Sequence, residues 1–276
     1  MPYFLQHAAG DVPVDDNWLS SAEQDRLAAM KIAKRYADWR LGRWTAKRAV
    51  ALFLGRSLQG SSLAEIEVRP LPSGAPEAFV AGLPAPVSIS LSHRDGRAVC
   101  AIAKPGTAFG CDLEVVEPRS AAFLADYFTE SEQRLMAAVQ PLHRWLMAAL
   151  MWSAKESALK ALGIGLRLGL RALTVDLHAK GASCRDVNPE GPPVAMRPDS
   201  YSPNHWEPLL VRTTQGQTFR GWCTCQDYWV MTVASLSPGV IGTAQLAGSS
   251  RGGFLTHPGE CTSTGSRKSA GPGGCC

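Results

Sequence analysis

The stretch Ala108-Phe109-Gly110-Cys111-Asp112-Leu113-Glu114-Val115 constrains the fold most. Apolar and small residues fill it, except for two carboxylates at alternate positions. Side chains two positions apart in a β-strand lie on one face, so Asp112 and Glu114 are predicted to project together. Adjacent carboxylates suit Mg²⁺, which usually takes one or two of them plus phosphate and water oxygens. Taken alone, such a pair is more typical of a solvated strand end.

Strands and helices are predicted on both sides of this stretch. Two strands, 87–93 and 98–103, precede it and are joined by the turn Arg94-Asp95-Gly96-Arg97. Residues 119–163 are predicted to be helical in at least two pieces, with Pro141 interrupting the pattern and Gly163 ending it. Further strands are predicted after this helical region, at 172–178, 206–213, 217–223 and 228–235.

The first part of the chain has a similar order of elements. Residues 21–55 are predicted to form a helix capped by Ser20 or Ser21, and 60–86 an irregular connection with one short strand at 65–68. The order helix–strands–helix–strands indicates a coarse duplication, but no residue-level repeat is apparent. Long helices on small, mostly antiparallel sheets predict an α+β class. The predicted parts are 1–105, 106–237 and a Gly/Ser/Pro-rich tail over 238–276, which is predicted to be disordered.

Composition limits the classes of function. The chain has 276 residues, 45% hydrophobic and 19% charged, with a net charge of +4. It can therefore bury a core, and it suits an anionic ligand without resembling a strongly basic nucleic-acid binder. No apolar run is long enough to span a membrane, and the first residues lack a secretory pattern. The eight cysteines lack zinc-site spacing and are predicted to be reduced thiols. We therefore expect a cytoplasmic protein.

Two further segments carry chemistry. In Trp152-Ser153-Ala154-Lys155-Glu156-Ser157-Ala158-Leu159-Lys160, helical spacing places Trp152, Glu156 and Lys160 on one face. The segment is either a surface ion pair beside a half-buried Trp, or a third carboxylate and a cation for a diphosphate. Ser92-His93 ends a predicted strand; it is either structural or a hydrogen-bond donor to phosphate.

In order and spacing, these segments together resemble the 4′-phosphopantetheinyl transferases, specifically the monomeric surfactin-synthetase-activating type. The resemblance covers roughly residues 20–235 and includes the N-terminal helix at Gly42-Arg43-Trp44-Thr45-Ala46-Lys47-Arg48. The family patterns are G-[IV]-D-x-E, F-[ST]-x-x-E and W-[ST]-x-K-E-[SA]-x-x-K. They correspond here to Gly110-Cys111-Asp112-Leu113-Glu114, Phe128-Thr129-Glu130-Ser131-Glu132 and Trp152–Lys160.

The resemblance implies transfer of the 4′-phosphopantetheine arm of coenzyme A (CoA) onto a serine of an apo carrier protein of the acyl, peptidyl or aryl type. It implies a monomer with two similar α+β lobes related by a pseudo-twofold axis, and no nucleic-acid or membrane partner. It also implies Mg²⁺, with Mn²⁺ as the alternative ion. Its implied metal ligands are Asp112, Glu114 and Glu156. Its implied CoA-binding residues are Arg43, Lys47, Ser92, His93, Lys155 and Lys160, with Lys155 either pairing with the diphosphate or positioning the helix. Glu156 and Lys160 are the implied catalytic residues, and Glu156 or water held by the metal would accept the serine proton.

The chain departs from the family pattern at two places. Gly74-Ala75-Pro76 stands where many relatives carry Gly-[Lys/Arg]-Pro, so one cation near the nucleotide is missing. Cys111 replaces Ile or Val and is expected to point away from the metal side. Two other interpretations compete with the transferase. One is a non-catalytic module that binds CoA or carrier proteins. The other is a nucleic-acid binder that uses the basic helix.

Overall fold

The computed structural model describes residues 2–163, 168–177, 194–195 and 206–236. Its helices are α1 (Ser21–Ala28), α2 (Ala33–Phe53), α3 (Gly60–Ala64), α4 (Ala121–Tyr127), α5 (Glu130–Ala138) and α6 (Pro141–Leu162). Its strands are β1 (Tyr3–Ala8), β2 (Ile66–Pro70), β3 (Pro76–Val80), β4 (Leu83–Pro84), β5 (Ser88–Arg94), β6 (Arg97–Ala103), β7 (Phe109–Val115), β8 (Leu173–Asp176), β9 (Val194–Ala195), β10 (Glu207–Thr213), β11 (Thr218–Gln226) and β12 (Trp229–Leu236).

The strands form three sheets. One sheet has the order β5-β6-β1-β9, a second β7-β12-β11-β10-β8, and a small third β2-β3-β4. The pairs are antiparallel except that β9 lies parallel to β1. Helix α2 packs on β1, β5 and β6, and α6 packs on β7 and β12. The α+β class with mainly antiparallel sheets is therefore confirmed.

The ends of the long helices follow from local sequence. Helix α6 begins at Pro141, where the missing N–H leaves no intrahelical hydrogen bond unmade. It ends before Gly163, which adopts a left-handed conformation at φ 66° and donates its N–H to the Lys160 carbonyl. Helices α1 and α5 both begin with a capping box, formed by Ser20 with Glu23 and by Thr129 with Glu132.

One apolar cluster joins the two large sheets. It contains Phe4 of β1 and Val99 of β6 together with Phe109 of β7 and Val233 of β12, all nearly fully buried. Strands β5 and β7 also meet, although no backbone ladder joins them. There the Ser90 hydroxyl accepts the Cys111 N–H at 3.0 Å, and the Cys111 thiol donates to the Ser90 carbonyl at 3.2 Å. We call this contact the β5–β7 seam.

Several sequence predictions need correction. The single helix predicted over 21–55 is two helices, because the chain turns at residues 29–32 and folds α1 back so that Glu23 meets Lys47. Strand β1 was not predicted, and β3 and β4 lie in a region that was predicted to be irregular. A residue-level repeat also exists, and the sequence prediction overlooked it.

Some predictions fall outside the described residues. These include the tail over 238–276 and the cysteines Cys184, Cys261, Cys275 and Cys276. The four described cysteines are free thiols: Cys100, Cys111 and Cys223 are buried, and Cys225 is exposed. Within the described ranges, none of the helices is both long and apolar enough to cross a membrane.

Candidate active site

Asp112 lies at the centre of the candidate site. Its side chain is 6% exposed, and its Oδ1 accepts hydrogen bonds from Ser92 Oγ at 2.8 Å and from Lys160 Nζ at 2.7 Å. These partners come from the end of β5 and from the last turn of α6. The Oδ2 atom of Asp112 is buried and has no hydrogen-bond partner. An unpartnered buried carboxylate oxygen is costly, and this atom is therefore a candidate cation ligand.

Gly110 lets α6 approach β7 closely enough for Lys160 to reach Asp112. A Cβ on Gly110 would lie 2.7 Å from Lys160 Cβ and closer still to the Ser157 carbonyl oxygen. At this short separation Lys160 Nζ also donates to the Cys111 carbonyl at 3.0 Å. Burial alone would lower the pKa of Lys160, but Asp112, Cys111 and Glu156 together raise it, so the ammonium stays charged.

Glu114 lies on the same strand and has a different set of partners. Its Oε1 accepts the Trp152 indole N–H at 3.0 Å. Its Oε2 lies 3.5 Å from Arg119 Nη2 and 3.8 Å from Arg94 Nε. Burial raises the pKa of Glu114, and Asp112 raises it further, while Arg94, Arg119 and the Trp152 hydrogen bond oppose the shift.

Glu156 completes the group of three carboxylates. It lies one helical turn before Lys160 and is partly buried. Burial and then the negative charge of Asp112 raise the pKa of Glu156; Glu114 adds to the shift and Lys160 opposes it. Asp112 therefore destabilises the ionised forms of both Glu114 and Glu156, as is common at functional sites where like charges are held together.

The donor set suits a hard divalent cation. Mg²⁺ needs few protein carboxylates when phosphate and water oxygens complete its octahedron, and Asp112 Oδ2 is unpartnered. In the described part of the chain, however, no group of three or more His, Cys, Asp or Glu side chains is arranged to coordinate a metal ion by itself. Lys160, Trp152 and the arginines occupy the other oxygens of Asp112 and Glu114. The residues therefore fit a metal ion whose remaining ligands are phosphate and water oxygens.

His93 extends the site towards α2. Part of the residue is exposed, but its ring packs near Gly42, where an added Cβ would come within 4.0 Å of the imidazole. Desolvation lowers the pKa of His93; Lys160 and Lys34 lower it further, while Asp38 and Asp112 oppose them. The imidazole is therefore neutral at neutral pH, with one N–H available to an anion.

Two cavities adjoin at Lys160. The larger, about 290 Å³, is lined by residues 73–76 and 89–91 with Lys160 and Gly163. The other, about 260 Å³, shares Pro76, Ile89, Lys160 and Gly163 with it. Ala75 of the departing Gly74-Ala75-Pro76 stretch thus lies in the cavity wall, and Lys160 is the cation among the lining residues. The cavities place space for a ligand beside Lys160, which pairs with Asp112.

The structure does not bring Lys47 and Lys155 into this group. Both ammonium groups are fully buried. Lys155 Nζ lies 2.7 Å from Glu132 Oε2 and donates to the Tyr127 carbonyl at 3.0 Å. Lys47 pairs in the same way with Glu23 and donates to the Trp18 carbonyl at 2.8 Å. Burial lowers the pKa of both lysines, and the paired carboxylates oppose the shift.

These two ion pairs belong to a repeat with an offset of about 108 residues. Trp44-Thr45-Ala46-Lys47 matches Trp152-Ser153-Ala154-Lys155, and the capping boxes of α1 and α5 match each other. The carboxylates Glu23 and Glu132 also accept the backbone N–H of Val68 and Val175, respectively. Arg48 stands in the first copy where Glu156 stands in the second, so this carboxylate of the site belongs to one copy alone.

Arg43 is also mostly buried. Its guanidinium stacks over Trp39 at 4.7 Å, and its Nε lies 3.8 Å from Glu23 Oε1. Burial lowers the pKa of Arg43 to about 10, with Glu23 opposing the shift. By contrast, Lys31, Lys34 and Arg35 at the start of α2 are exposed.

Sequence reasoning did not identify Arg94 and Arg119. It placed Arg94 in a turn between two predicted strands and gave Arg119 no role. The sequence feature that could have pointed to them is their closeness to the motif residues. Arg94 follows Ser92-His93 by one residue, and Arg119 follows Glu114 by five. Nothing in the sequence shows that the two guanidinium groups converge on one carboxylate. The structure is needed because they arrive from opposite sides of the β5–β7 seam.

Comparison with models of known protein families gives a match to part of the chain. Residues 108–214 match the model of the 4′-phosphopantetheinyl transferase superfamily. The matched region contains Asp112, Glu114, Glu156 and Lys160, and Ser92 and His93 lie before it. A search of curated proteins found no match to the chain.

Proposed function

We propose that this protein is a Mg²⁺-dependent transferase that moves the 4′-phosphopantetheine arm of CoA onto a serine of an apo carrier protein. The observation that carries the proposal is the buried Asp112. One oxygen is held by Ser92 and Lys160 and the other is unpartnered, inside the segment that matches the transferase superfamily. We further propose the surfactin-synthetase-activating subtype, a cytoplasmic monomer, and two lobes related by the internal repeat.

The reaction is a displacement at phosphorus. The serine oxygen bonds to the phosphorus that carries the pantetheine arm, the bond from that phosphorus to the bridging oxygen breaks, and adenosine 3′,5′-bisphosphate leaves. Catalysis of this kind depends mainly on positioning and charge stabilisation. The proton of the serine hydroxyl passes to Glu156 directly or to water, and the raised pKa of Glu156 suits a proton acceptor.

The cation-binding part of the site would use Asp112, Glu114 and Glu156. A bound Mg²⁺ supplies charge neutralisation for the diphosphate, with Mn²⁺ as the alternative ion. Lys160 is placed to stabilise charge on the diphosphate, because its ammonium lies beside Asp112 and its side chain lines both cavities. Ser92 orients Asp112, and His93 offers an N–H to a phosphate oxygen.

Two of the implied CoA ligands are better explained as supports. Lys47 and Lys155 are fully buried on carboxylates, so contact with CoA would require breaking a buried ion pair. We propose that Lys155 positions α6, and with it Glu156 and Lys160. Arg43 is held between Trp39 and Glu23 in the same manner. The exposed residues Lys31, Lys34 and Arg35 are the better candidates for the cationic contact with the nucleotide.

The test uses the full chain, CoA, Mg²⁺ and a panel of apo acyl, peptidyl and aryl carrier domains. Intact mass should show that at least one carrier gains the arm and that EDTA prevents the gain. Asp112→Asn should abolish the gain, whereas Asp126→Asn on the exposed face of α4 should not. CoA binding without any gain on any carrier would favour a non-catalytic module instead.

A further inference from the structure

Two arginines and one glutamate form a cluster beside Glu114. Glu117 Oε1 lies 2.6 Å from Arg94 Nη2 and 2.8 Å from Arg119 Nη1. The same arginines reach Glu114 Oε2 at the longer distances of 3.8 and 3.5 Å. We call Arg94, Glu117 and Arg119 the guanidinium clamp. Glu117 holds both arginines through the shorter contacts. The contacts of Arg94 and Arg119 with Glu114 can therefore break while both side chains stay in place.

The clamp and Lys160 offset two of the three negative charges of the site carboxylates, because Glu117 cancels one of the two positive charges of the clamp. Asp112, Glu114 and Glu156 carry three negative charges when ionised, and Lys160, Arg94 and Arg119 carry three positive charges next to them. The side chains of Arg94 and Arg119 are 34% and 20% exposed, so solvent only partly screens them. A free divalent cation therefore meets one net negative charge at this cluster, in place of the three that the carboxylates of the site carry by themselves.

The hydrogen bonds lead to the same conclusion. The Oε1 atom of Glu114 is taken by Trp152, Oε2 faces the clamp, and Oδ1 of Asp112 is taken by Ser92 and Lys160. Among these four oxygens, Asp112 Oδ2 alone lacks a partner. A cation arriving by itself would reach Glu114 only by displacing a guanidinium group or the Trp152 N–H. A cation arriving with a diphosphate brings oxygens for itself and negative charge for the displaced groups.

We infer that the site binds its divalent cation together with the diphosphate rather than before it, and that Arg94 and Arg119 impose this order by competing for Glu114. The inference rests on the proposed function for the identity of the diphosphate. It assigns a role in ligand binding to two residues outside the family motifs. By thermodynamic linkage, the cation and the diphosphate ligand must tighten each other's binding by the same factor.

The experiment measures Mn²⁺ binding to the full chain by electron paramagnetic resonance of free Mn²⁺. It is run with and without CoA, and no carrier is present, so no transfer occurs. CoA should tighten Mn²⁺ binding by about fivefold or more, in the range of ordinary coupling energies. A titration of CoA with and without Mn²⁺ should give the same factor. Equal Mn²⁺ affinity with and without CoA would overturn the inference.

Variants test the part played by the clamp. Arg119→Gln should bind Mn²⁺ more tightly than the wild type without CoA, and the gain on adding CoA should shrink; Arg94→Gln should act in the same direction. Arg119→Lys, which keeps the charge, should remain near the wild type. Arg212→Gln removes a cation 3.9 Å from Asp176 at another edge and should change nothing. Weaker Mn²⁺ binding in folded Arg119→Gln would show that the clamp supports the site and does not compete for it.

The inference and the proposed function can fail separately. If no carrier gains the arm but Mn²⁺ and CoA still tighten each other, the transferase proposal fails and the binding order stands. If carriers gain the arm but Mn²⁺ binds equally well without CoA, the transferase proposal stands and the binding order is wrong. Thermal unfolding of each variant without ligands identifies any loss of binding caused by misfolding.

Discussion

Lys160 connects more parts of the site than any other single residue described. Its ammonium donates to Asp112 and to the Cys111 carbonyl, and the residue lines both cavities. We predict that Lys160→Met lowers the transfer rate at saturating CoA by about 10²–10³, the usual cost of losing one preorganised group that stabilises charge. Lys104→Met, in an exposed turn, serves as the control. An unchanged rate would remove Lys160 from the chemistry.

Glu156 should destabilise the protein when no cation is bound. Its pKa is raised, so the folded state holds its proton more tightly than the unfolded state, and ionisation above its ordinary value of 4.5 opposes folding. We predict that Glu156→Gln stabilises the metal-free protein at neutral pH by about 0.5–1 kcal/mol, the lower part of the usual range, because solvent partly screens this half-buried side chain. The measurement is thermal unfolding in EDTA.

The pH dependence provides the check on this prediction. The advantage of Glu156→Gln should be full at neutral pH and should shrink as the pH falls through the raised pKa of Glu156. Mg²⁺ with CoA should stabilise the wild type more than the variant. Glu130→Gln on the exposed face of α5 should match the wild type throughout. A variant less stable than the wild type in EDTA would contradict the pKa argument.

At the residue scale, the sequence was informative where side chains alternate or recur along one element. The two-residue repeat of a β-strand predicted that Asp112 and Glu114 lie on one face. Helical spacing predicted that Trp152, Glu156 and Lys160 lie on one face of a helix. It was uninformative about burial. Lys47 and Lys155 read as cations for an anionic ligand, but each has a buried carboxylate partner more than twenty residues away. Sequence spacing carries no information on such a tertiary pairing.

At the scale of elements, the approach of α6 to β7 determines the geometry of the site. The close contacts at Gly110 leave no room for a side chain. We predict that Gly110→Ala lowers the free energy of unfolding by about 1–3 kcal/mol through overpacking, measured by urea denaturation. Gly10→Ala is the matched control, because its Cβ would enter open space. Equal stability of the two variants would mean that α6 shifts freely on the sheet.

Helix boundaries could be predicted only where the cap is local. The break at Pro141 and the stop at Gly163 could be predicted, since both depend on the backbone of one residue. The break between α1 and α2 has no such residue, and Ile32 provides no side-chain cap. It exists because Glu23 must turn back to reach Lys47 and the Val68 N–H. Local propensity could not predict that requirement.

At the scale of the whole molecule, the two buried ion pairs are equivalent supports. Glu23 and Glu132 each bind a lysine, close a capping box and accept a strand N–H. We predict that Glu23→Gln and Glu132→Gln each lower the free energy of unfolding by about 3–5 kcal/mol, because each leaves a buried lysine without its charge partner. Chemical denaturation of both variants, with exposed Glu130→Gln as the control, measures the effect.

A loss in one variant only would mean that the two supports are not equivalent. The repeat itself was within reach of the sequence, since Trp44-Thr45-Ala46-Lys47 and Trp152-Ser153-Ala154-Lys155 differ at one position. It was overlooked because the segments after them diverge, from Arg48-Ala49-Val50 to Glu156-Ser157-Ala158. Both copies of the repeat retain the buried lysine–glutamate pair, whereas Glu156 of the site occurs in the second copy alone.

The β5–β7 seam has a mechanical consequence. Side-chain contacts, including Ser90 on Cys111 and Ser92 on Asp112, connect the two sheets there without a backbone ladder. A force that separates the sheets would load a few such contacts in succession, so the seam should part before either ladder does. A ligand that contacts both His93 of β5 and Glu114 of β7 would add a further connection across the seam. Its binding should then be measurable as a rise in the force at which the seam opens.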